Sequence, residues 1–260
     1  MDTITLGRTG LRVTAAGLGG GGFSRLGMDL GVDHAASIVR AAYDAGVTFY
    51  DTAMAYGSEP AVGQGLRGVP RDKYVISTKF SYSGFDGKIA TPQALSDALD
   101  ASLKRLETDY VDIYHLHAVT AEHYKQVSET LIPALIKAKE QGKIRFPGVT
   151  ERFAQDTAHE MLPIALKDDF FDVIMTGYNI LNPSAAKTVL PLTIERNVGV
   201  LCMFAVRSAL HNPAQLKTDI DRILAAGQGD AELLKRDGTL EFLDLPTDAY
   251  RFCRHTPGIG

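Results

Sequence analysis

A chain of 260 residues, 45% hydrophobic and 22% charged, is long enough for one large core of α/β-barrel size. Its 27 basic and 31 acidic side chains leave a formal net charge of −4, so no basic excess points to nucleic acid. Two cysteines, Cys202 and Cys253, exclude a disulfide framework and a four-thiolate zinc site, and no apolar run approaches the roughly 20 residues that span a bilayer.

In chain order, short apolar runs alternate with longer segments of helical period. The first strand is predicted over Val13–Leu18. Asp33 then caps a helix whose Ala35, Ile38, Val39 and Ala42 share one face, and Gly46 ends it. Strands follow at Val47–Asp51 and Tyr74–Phe80. Thr91-Pro92 opens a helix with Leu95, Leu99, Leu103 and Leu106 inward. After a strand at Tyr110–His117 comes a helix with Leu131, Leu135 and Ala138 ahead of Gly142. Strands at Ile144–Thr150 and Asp172–Thr176 precede a helix opened by Asn182-Pro183, where proline suits the first turn. The last strand is Val198–Phe204. Strand starts fall about 30 residues apart, the length of a parallel β-α unit. One domain over residues 1–260 is expected, either a closed (β/α) barrel or an open doubly wound sheet.

Two patterns are weak guides. Gly17-Leu18-Gly19-Gly20-Gly21-Gly22 satisfies GxGxxG, but the next helix begins only near Asp33, too late for a phosphate cradle at its N-terminus. His115-Leu116-His117 places two imidazoles on one side of a strand, as barrel metallohydrolases do. The other histidines lie in helices or loops, so the preferred reading puts one of the pair in the core and the other at the barrel mouth, with no metal. A metal-dependent hydrolase using His115 and His117 is the alternative.

Strand parity identifies a stronger constellation. Val47, Phe49 and Asp51 alternate inward on one strand, Val75, Ser77 and Lys79 on the next, and Val111, Ile113, His115 and His117 on the third. Asp51, Lys79 and His117 thus end three successive inward rows, at the face where barrels carry their active sites. Tyr56 sits on the loop five residues beyond Asp51. A phenol with its usual pKa of about 10 is a weak acid at neutral pH. A lysine ammonium within hydrogen-bond reach is expected to lower that value by about two units, which takes roughly 3 kcal/mol. Asp51 would hold Lys79 in place, and His117 would bond a substrate oxygen. Such a set can protonate a carbonyl oxygen as hydride reaches its carbon.

These residues resemble the aldo-keto reductases. Leu6-Gly7-Arg8-Thr9-Gly10-Leu11-Arg12-Val13 is similar to their opening hairpin and Gly17-Leu18-Gly19 to their first barrel strand. Phe49-Tyr50-Asp51-Thr52-Ala53 with Tyr56-Gly57 and Glu59 resembles their aspartate–tyrosine signature, Ile76-Ser77-Thr78-Lys79 their lysine strand, and Tyr110 to His117 their histidine strand. Gly142-Lys143-Ile144-Arg145 leading to Gly148-Val149 is similar too. The resemblance implies a (β/α)8 TIM-type barrel with an N-terminal β-hairpin. It also implies catalytic Tyr56, Lys79, Asp51 and His117, NADPH (or NADH) as hydride donor, and an aldehyde, ketone or sugar lactol as substrate. Within the family the bacterial sugar-lactol and aldose dehydrogenase branch is nearest in pattern. Cofactor contacts are expected from Gly19, Gly20, Asp51, Thr150, Met175, Phe204 and Arg207.

The sequence also departs from the family. Where a Ser-Asn pair and a glutamine hold the nicotinamide carboxamide, this chain has Thr150-Glu151 and Met175. Each lost hydrogen bond costs about 1 kcal/mol of affinity. The stacking aromatic falls near Met203-Phe204. From Asn212 to His255 the pattern reads as helix and loop, where the family has an eighth strand and a final helix. The expectation is a barrel incomplete at its C-terminal end, with weakened NADPH binding and homo-oligomerisation through the open edge. A relative with an impaired cofactor site and no redox activity is the second alternative. The substrate rim is expected from Phe23–Val32, Phe80–Ile89 and Ala118–Glu122, with Phe23, Phe80, Tyr82 and Phe85 as an apolar wall and Arg25 and His115 as polar contacts. No nucleic-acid or membrane partner is expected. With no signal-like run after Met1, the expected location is the cytoplasm.

Overall fold

The structure, a computed structural model, describes residues 1–21, 25–84, 87–206, 212–227 and 245–259. A two-stranded antiparallel hairpin, β1 (Thr3–Thr5) and β2 (Arg12–Thr14), leads into seven parallel strands hydrogen-bonded in chain order. These are β3 (Leu18–Gly19), β4 (Phe49–Asp51), β5 (Val75–Ser81), β6 (Val111–Val119), β7 (Ile144–Glu151), β8 (Val173–Gly177) and β9 (Gly199–Met203). Helices α1 (Val32–Asp44), α2 (Glu59–Leu66), α3 (Pro92–Leu106), α4 (Ala121–Glu140), α5 (Met161–Lys167), α6 (Ala185–Thr188) and α7 (Leu190–Arg196) fill the crossovers. The sheet curls into a (β/α) barrel that is incomplete among the described residues, with β3 and β9 at its edges. Beyond β9 the described residues form helices at Pro213–Ala225 and Leu245–Arg254. No helix among the described residues is long and apolar enough to cross a membrane.

Alternation along the strands divides the core into two layers. Phe49, Val75, Ile113 and Val173 point inward and meet Leu6, Leu11 and Val13 of the hairpin, which plugs the barrel floor. Tyr50, Ile76, Tyr114, Leu116, Ile174 and Val200 belong to the larger outer cluster, shared with the helices. Val47 and Val111, expected inward, join that outer cluster instead. The hairpin is locked to the start of β9: a Cβ on Gly7 would lie 2.3 Å from the Gly199 nitrogen, and the Gly7 backbone has φ +46°. Only glycine tolerates both.

Helix boundaries mostly follow their punctuation. The Thr91 hydroxyl accepts from the Ala94 amide at α3, and Gly142, at φ +72°, follows α4. Three expectations need correction. Asp33 lies in the first turn of α1 rather than capping it, and its carboxylate accepts from Gln64 Nε2 at 2.7 Å, tying α1 to α2. The strand expected at Val13–Leu18 divides into β2 and β3, because one half pairs antiparallel beneath the barrel and the other parallel with β4. The bend passes so near Phe49 that a Cβ on Gly17 would lie 2.6 Å from its ring. Asn182-Pro183 opens not one helix but two short ones, interrupted at Val189 just before Pro191.

Candidate active site

Strand register brings the chemistry-bearing residues together in layers. Asp51 sits level with Ser77, Lys79 with His115, and Ser81 with His117. Lys79 is buried, and its Nζ donates to Asp51 Oδ2 at 2.6 Å and to the Thr52 carbonyl at 2.7 Å. Asp51 Oδ1 accepts from the Ser77 hydroxyl at 2.8 Å, and Ser77 Oγ lies 3.1 Å from His115 Nε2. The lysine and aspartate therefore form an anchored pair rather than two solvated ends. Burial lowers the Lys79 pKa, against the opposing pull of Asp51.

Above this pair, Tyr56 and His117 meet edge to face with ring centroids 5.6 Å apart. The Tyr56 hydroxyl lies 3.5 Å from His117 Nε2, and Lys79 Nζ is 5.0 Å from the centre of the phenol ring. Tyr56 closes over Gly21, where a Cβ would come within 2.7 Å of its ring. The structure thus assembles Asp51, Tyr56, Lys79 and His117, with one correction. Burial and the Asp51 carboxylate push the Tyr56 phenol up, the reverse of the expected lowering. The physical reason is the placement of the cation: Lys79 spends its charge on Asp51, and burial penalises phenolate. His117 is lowered to about 3 by burial and by Lys79, which makes it a neutral imidazole at physiological pH.

His115 is a buried core histidine packed on Gly148, where a Cβ would lie 2.3 Å from its Nδ1, while His117 lies at the mouth. His115 is therefore enclosed in the core rather than exposed at the rim, where it was expected. Phe80 and Tyr82, expected in the rim wall, are buried in the outer cluster, and the Tyr82 hydroxyl lies 3.2 Å from His123 Nδ1. Their strand continues to Ser81, so parity turns Phe80 outward. Phe23 and Phe85 lie outside the described residues, as does the side chain of Arg25.

The expected cofactor residues occupy different settings. A Cβ on Gly19 would meet nothing within 4 Å, leaving side-chain-free space level with Asp51. Gly20 is held by its own bonds: its amide donates to the Asp51 carbonyl at 2.6 Å and its carbonyl accepts from Ser58 Oγ. Thr150 is buried and its hydroxyl accepts from the Ala118 amide at 2.7 Å, which leaves the hydroxyl proton free to donate. Met175 is buried on β8, in register with Thr150. Open space at Gly19 and the Thr150 hydroxyl fit a flat, amide-bearing ring such as nicotinamide. Phe204, with left-handed φ +63°, stacks on Phe153 at 5.6 Å. Arg207 lies outside the described residues.

Sequence reasoning missed a second buried network. Glu151 turns away from the mouth and accepts from His159 Nδ1 at 2.8 Å, Thr176 Oγ1 at 3.0 Å and the Gly177 amide at 2.7 Å. His159 Nε2 lies 2.9 Å from Ser184 Oγ, and the His159 ring stacks on Phe153, which covers Gly177. Glu151 is therefore a strut that sets Phe153 at the mouth. Its parity, one residue past inward Thr150, was the available signal. Glu59 is another buried strut, accepting from Thr78 and Arg105.

Comparison with known proteins places this geometry. The chain is 39% identical over 157 residues to L-galactose dehydrogenase of Arabidopsis thaliana, a match covering 58% of this chain and 48% of that protein. It is 28% identical over 269 residues to D-threo-aldose 1-dehydrogenase of a Pseudomonas species, covering 93% of this chain and 75% of that protein. The chain thus spans about half the length of the first relative and three quarters of the second. Among solved structures, the holo form of the aldo-keto reductase AKR11C1 from Bacillus halodurans superposes with a TM-score of 0.73 at 25% identity, covering 100% of this chain and 84% of that one. The aldo/keto reductase family model matches residues 16–236, and the chain therefore belongs to the aldo/keto reductase family.

Proposed function

We propose that the protein is an NAD(P)H-dependent oxidoreductase that interconverts a carbonyl or sugar lactol with the corresponding alcohol or lactone. The observation that carries this reading is the buried Lys79–Asp51 pair directly beneath the Tyr56–His117 pair, at the ends of successive parallel strands. In this reading the bound nicotinamide supplies or accepts the hydride. Gly19 would leave room for the ring, the Thr150 hydroxyl would hold the carboxamide, and Met175 and Phe204 would contribute to the same site.

The chain's own groups handle the proton. A phenol pushed up by burial stays protonated at neutral pH, so Tyr56 is charged with the proton that a carbonyl oxygen needs during reduction. As the proton leaves, negative charge develops on the phenol, whose ring centre lies 5.0 Å from the Lys79 ammonium that Asp51 keeps in place. Neutral His117 orients the substrate oxygen without competing for that proton. The names of the two dehydrogenase relatives support an aldose or sugar lactol as substrate.

Titration of NADPH fluorescence with the 260-residue protein, followed by an aldose oxidation screen, tests the reading. Saturable quenching at micromolar cofactor, with turnover abolished and binding retained in Tyr56→Phe, is expected. Absence of binding up to millimolar cofactor refutes it and favours the cofactor-impaired alternative, whose structural motive is the diversion of Glu151 and the thioether at Met175.

A further inference from the structure

The chain's only two cysteines, far apart in sequence, meet on the outer side of the barrel. Cys202 lies on β9, next to inward-facing Leu201, so its thiol points towards the covering helices. Cys253 lies on the helix Leu245–Arg254 and is buried. Both thiols donate to a single acceptor, the Tyr178 carbonyl, at 3.2 Å from Cys202 and 3.5 Å from Cys253. The helix and the turn after it are anchored on the same residue: Phe252 stacks on the Tyr178 ring at 5.4 Å and 11°, and Thr256 Oγ1, beyond the helix, donates to the Tyr178 hydroxyl at 3.1 Å. The catalytic reading uses neither cysteine.

We propose that Cys202 and Cys253 form a reversible intramolecular disulfide under peroxide, a modification site that staples the Leu245–Arg254 helix to β9. Two thiols converging on one oxygen are already positioned as an attacking and a resolving pair, and half-buried Cys202 gives the oxidant access. One sulphur, as thiolate, attacks a peroxide oxygen and breaks the O–O bond, leaving a sulfenic acid and hydroxide. The second sulphur then displaces the sulfenic hydroxyl, which leaves as water with the second thiol's proton, and the S–S bond closes. The sum is two thiols and one hydrogen peroxide to one disulfide and two waters. The sulphurs are oxidised and the peroxide is reduced.

The test uses the full chain and does not depend on enzymatic activity. Protein treated with hydrogen peroxide is quenched, and its free thiols are counted after denaturation alongside an intact-mass measurement. The expected result is loss of both thiols, a mass lower by two hydrogens, and a proteolytic peptide joining Cys202 to Cys253. Dithiothreitol restores both thiols. Closing a loop of this length raises Tm by roughly 5–10 °C in the oxidised form. Cys253→Ser is expected to stop at a sulfenic acid on half-buried Cys202, captured by dimedone. The proposal is overturned if wild-type protein gains oxygen mass without the cross-linked peptide, keeps both thiols, or cross-links only between chains.

Discussion

Replacing Asp51 with asparagine removes one charge and almost no volume, so it isolates what the carboxylate contributes to a buried ammonium. Lys79 is fully enclosed, and its Nζ lies 2.6 Å from Asp51 Oδ2. At an effective dielectric of about 20, a contact of this length is worth roughly 6 kcal/mol of Coulomb attraction. Breaking a buried pair by neutralising one partner typically costs about 3–5 kcal/mol. Asp51 keeps 18% side-chain exposure, which places the expected loss at the lower end, about 3 kcal/mol. For a chain of this size that lowers Tm by roughly 6–12 °C.

The pH dependence gives the sharper signature. Burial already lowers the Lys79 pKa, and Asp51 is the main influence opposing it, so Asp51→Asn lowers it further. Between that depressed value and the unfolded value of about 10.4, the unfolded chain binds more protons than the native one. Stability therefore rises with pH across this window, and the variant's deficit is largest at low pH and shrinks towards about pH 10. Urea unfolding of both proteins from about pH 6 to about pH 10 measures this directly. A loss below about 1 kcal/mol, or a deficit independent of pH, would refute the view that Asp51 compensates a buried cation.

Three further outcomes are expected. Burial and Lys79 hold His117 at about 3, below its unfolded value of about 6.5, so its contribution is fully present above the unfolded value and is lost as pH falls through that window. His117→Asn should therefore reduce by up to one proton the uptake on unfolding between those values, and an unchanged slope in acid titrations of stability would show that His117 titrates normally. In Gly148→Ala the new methyl would lie 2.3 Å from His115 Nδ1, and the buried ring has no room to retreat. The expected cost is about 2 kcal/mol, seen as a Tm roughly 4–8 °C lower, and a neutral result would mean that the two strands separate easily. Met175→Gln supplies an amide at the proposed nicotinamide site. About 1 kcal/mol of regained hydrogen bonding should tighten the NADPH dissociation constant about fivefold, and an unchanged constant would place the carboxamide elsewhere.

Much of the site was legible because its residues follow local rules. Strand parity and β-α spacing place Asp51, Lys79 and His117 at one end of successive inward rows, and these depend only on the two-residue period of a strand and the length of a crossover. The same rule separates His115 in the core from His117 at the mouth only once the depth of each row is known, and that depth comes from the register of β5 against β6. Other properties belong to tertiary structure alone. Whether Lys79 lowers the Tyr56 pKa depends on which partner it meets first, and the fold gives it to Asp51 and Thr52. Glu151 reads as a misplaced cofactor ligand until the loop carrying His159 folds back on it, and Cys202 and Cys253 become neighbours only when the last helix packs on Tyr178. The chain by itself determined which groups stand on which face of which strand, because backbone geometry fixes that locally. Who neutralises whom was decided only by packing, because charges, burial and shared acceptors arise between segments that the chain holds far apart.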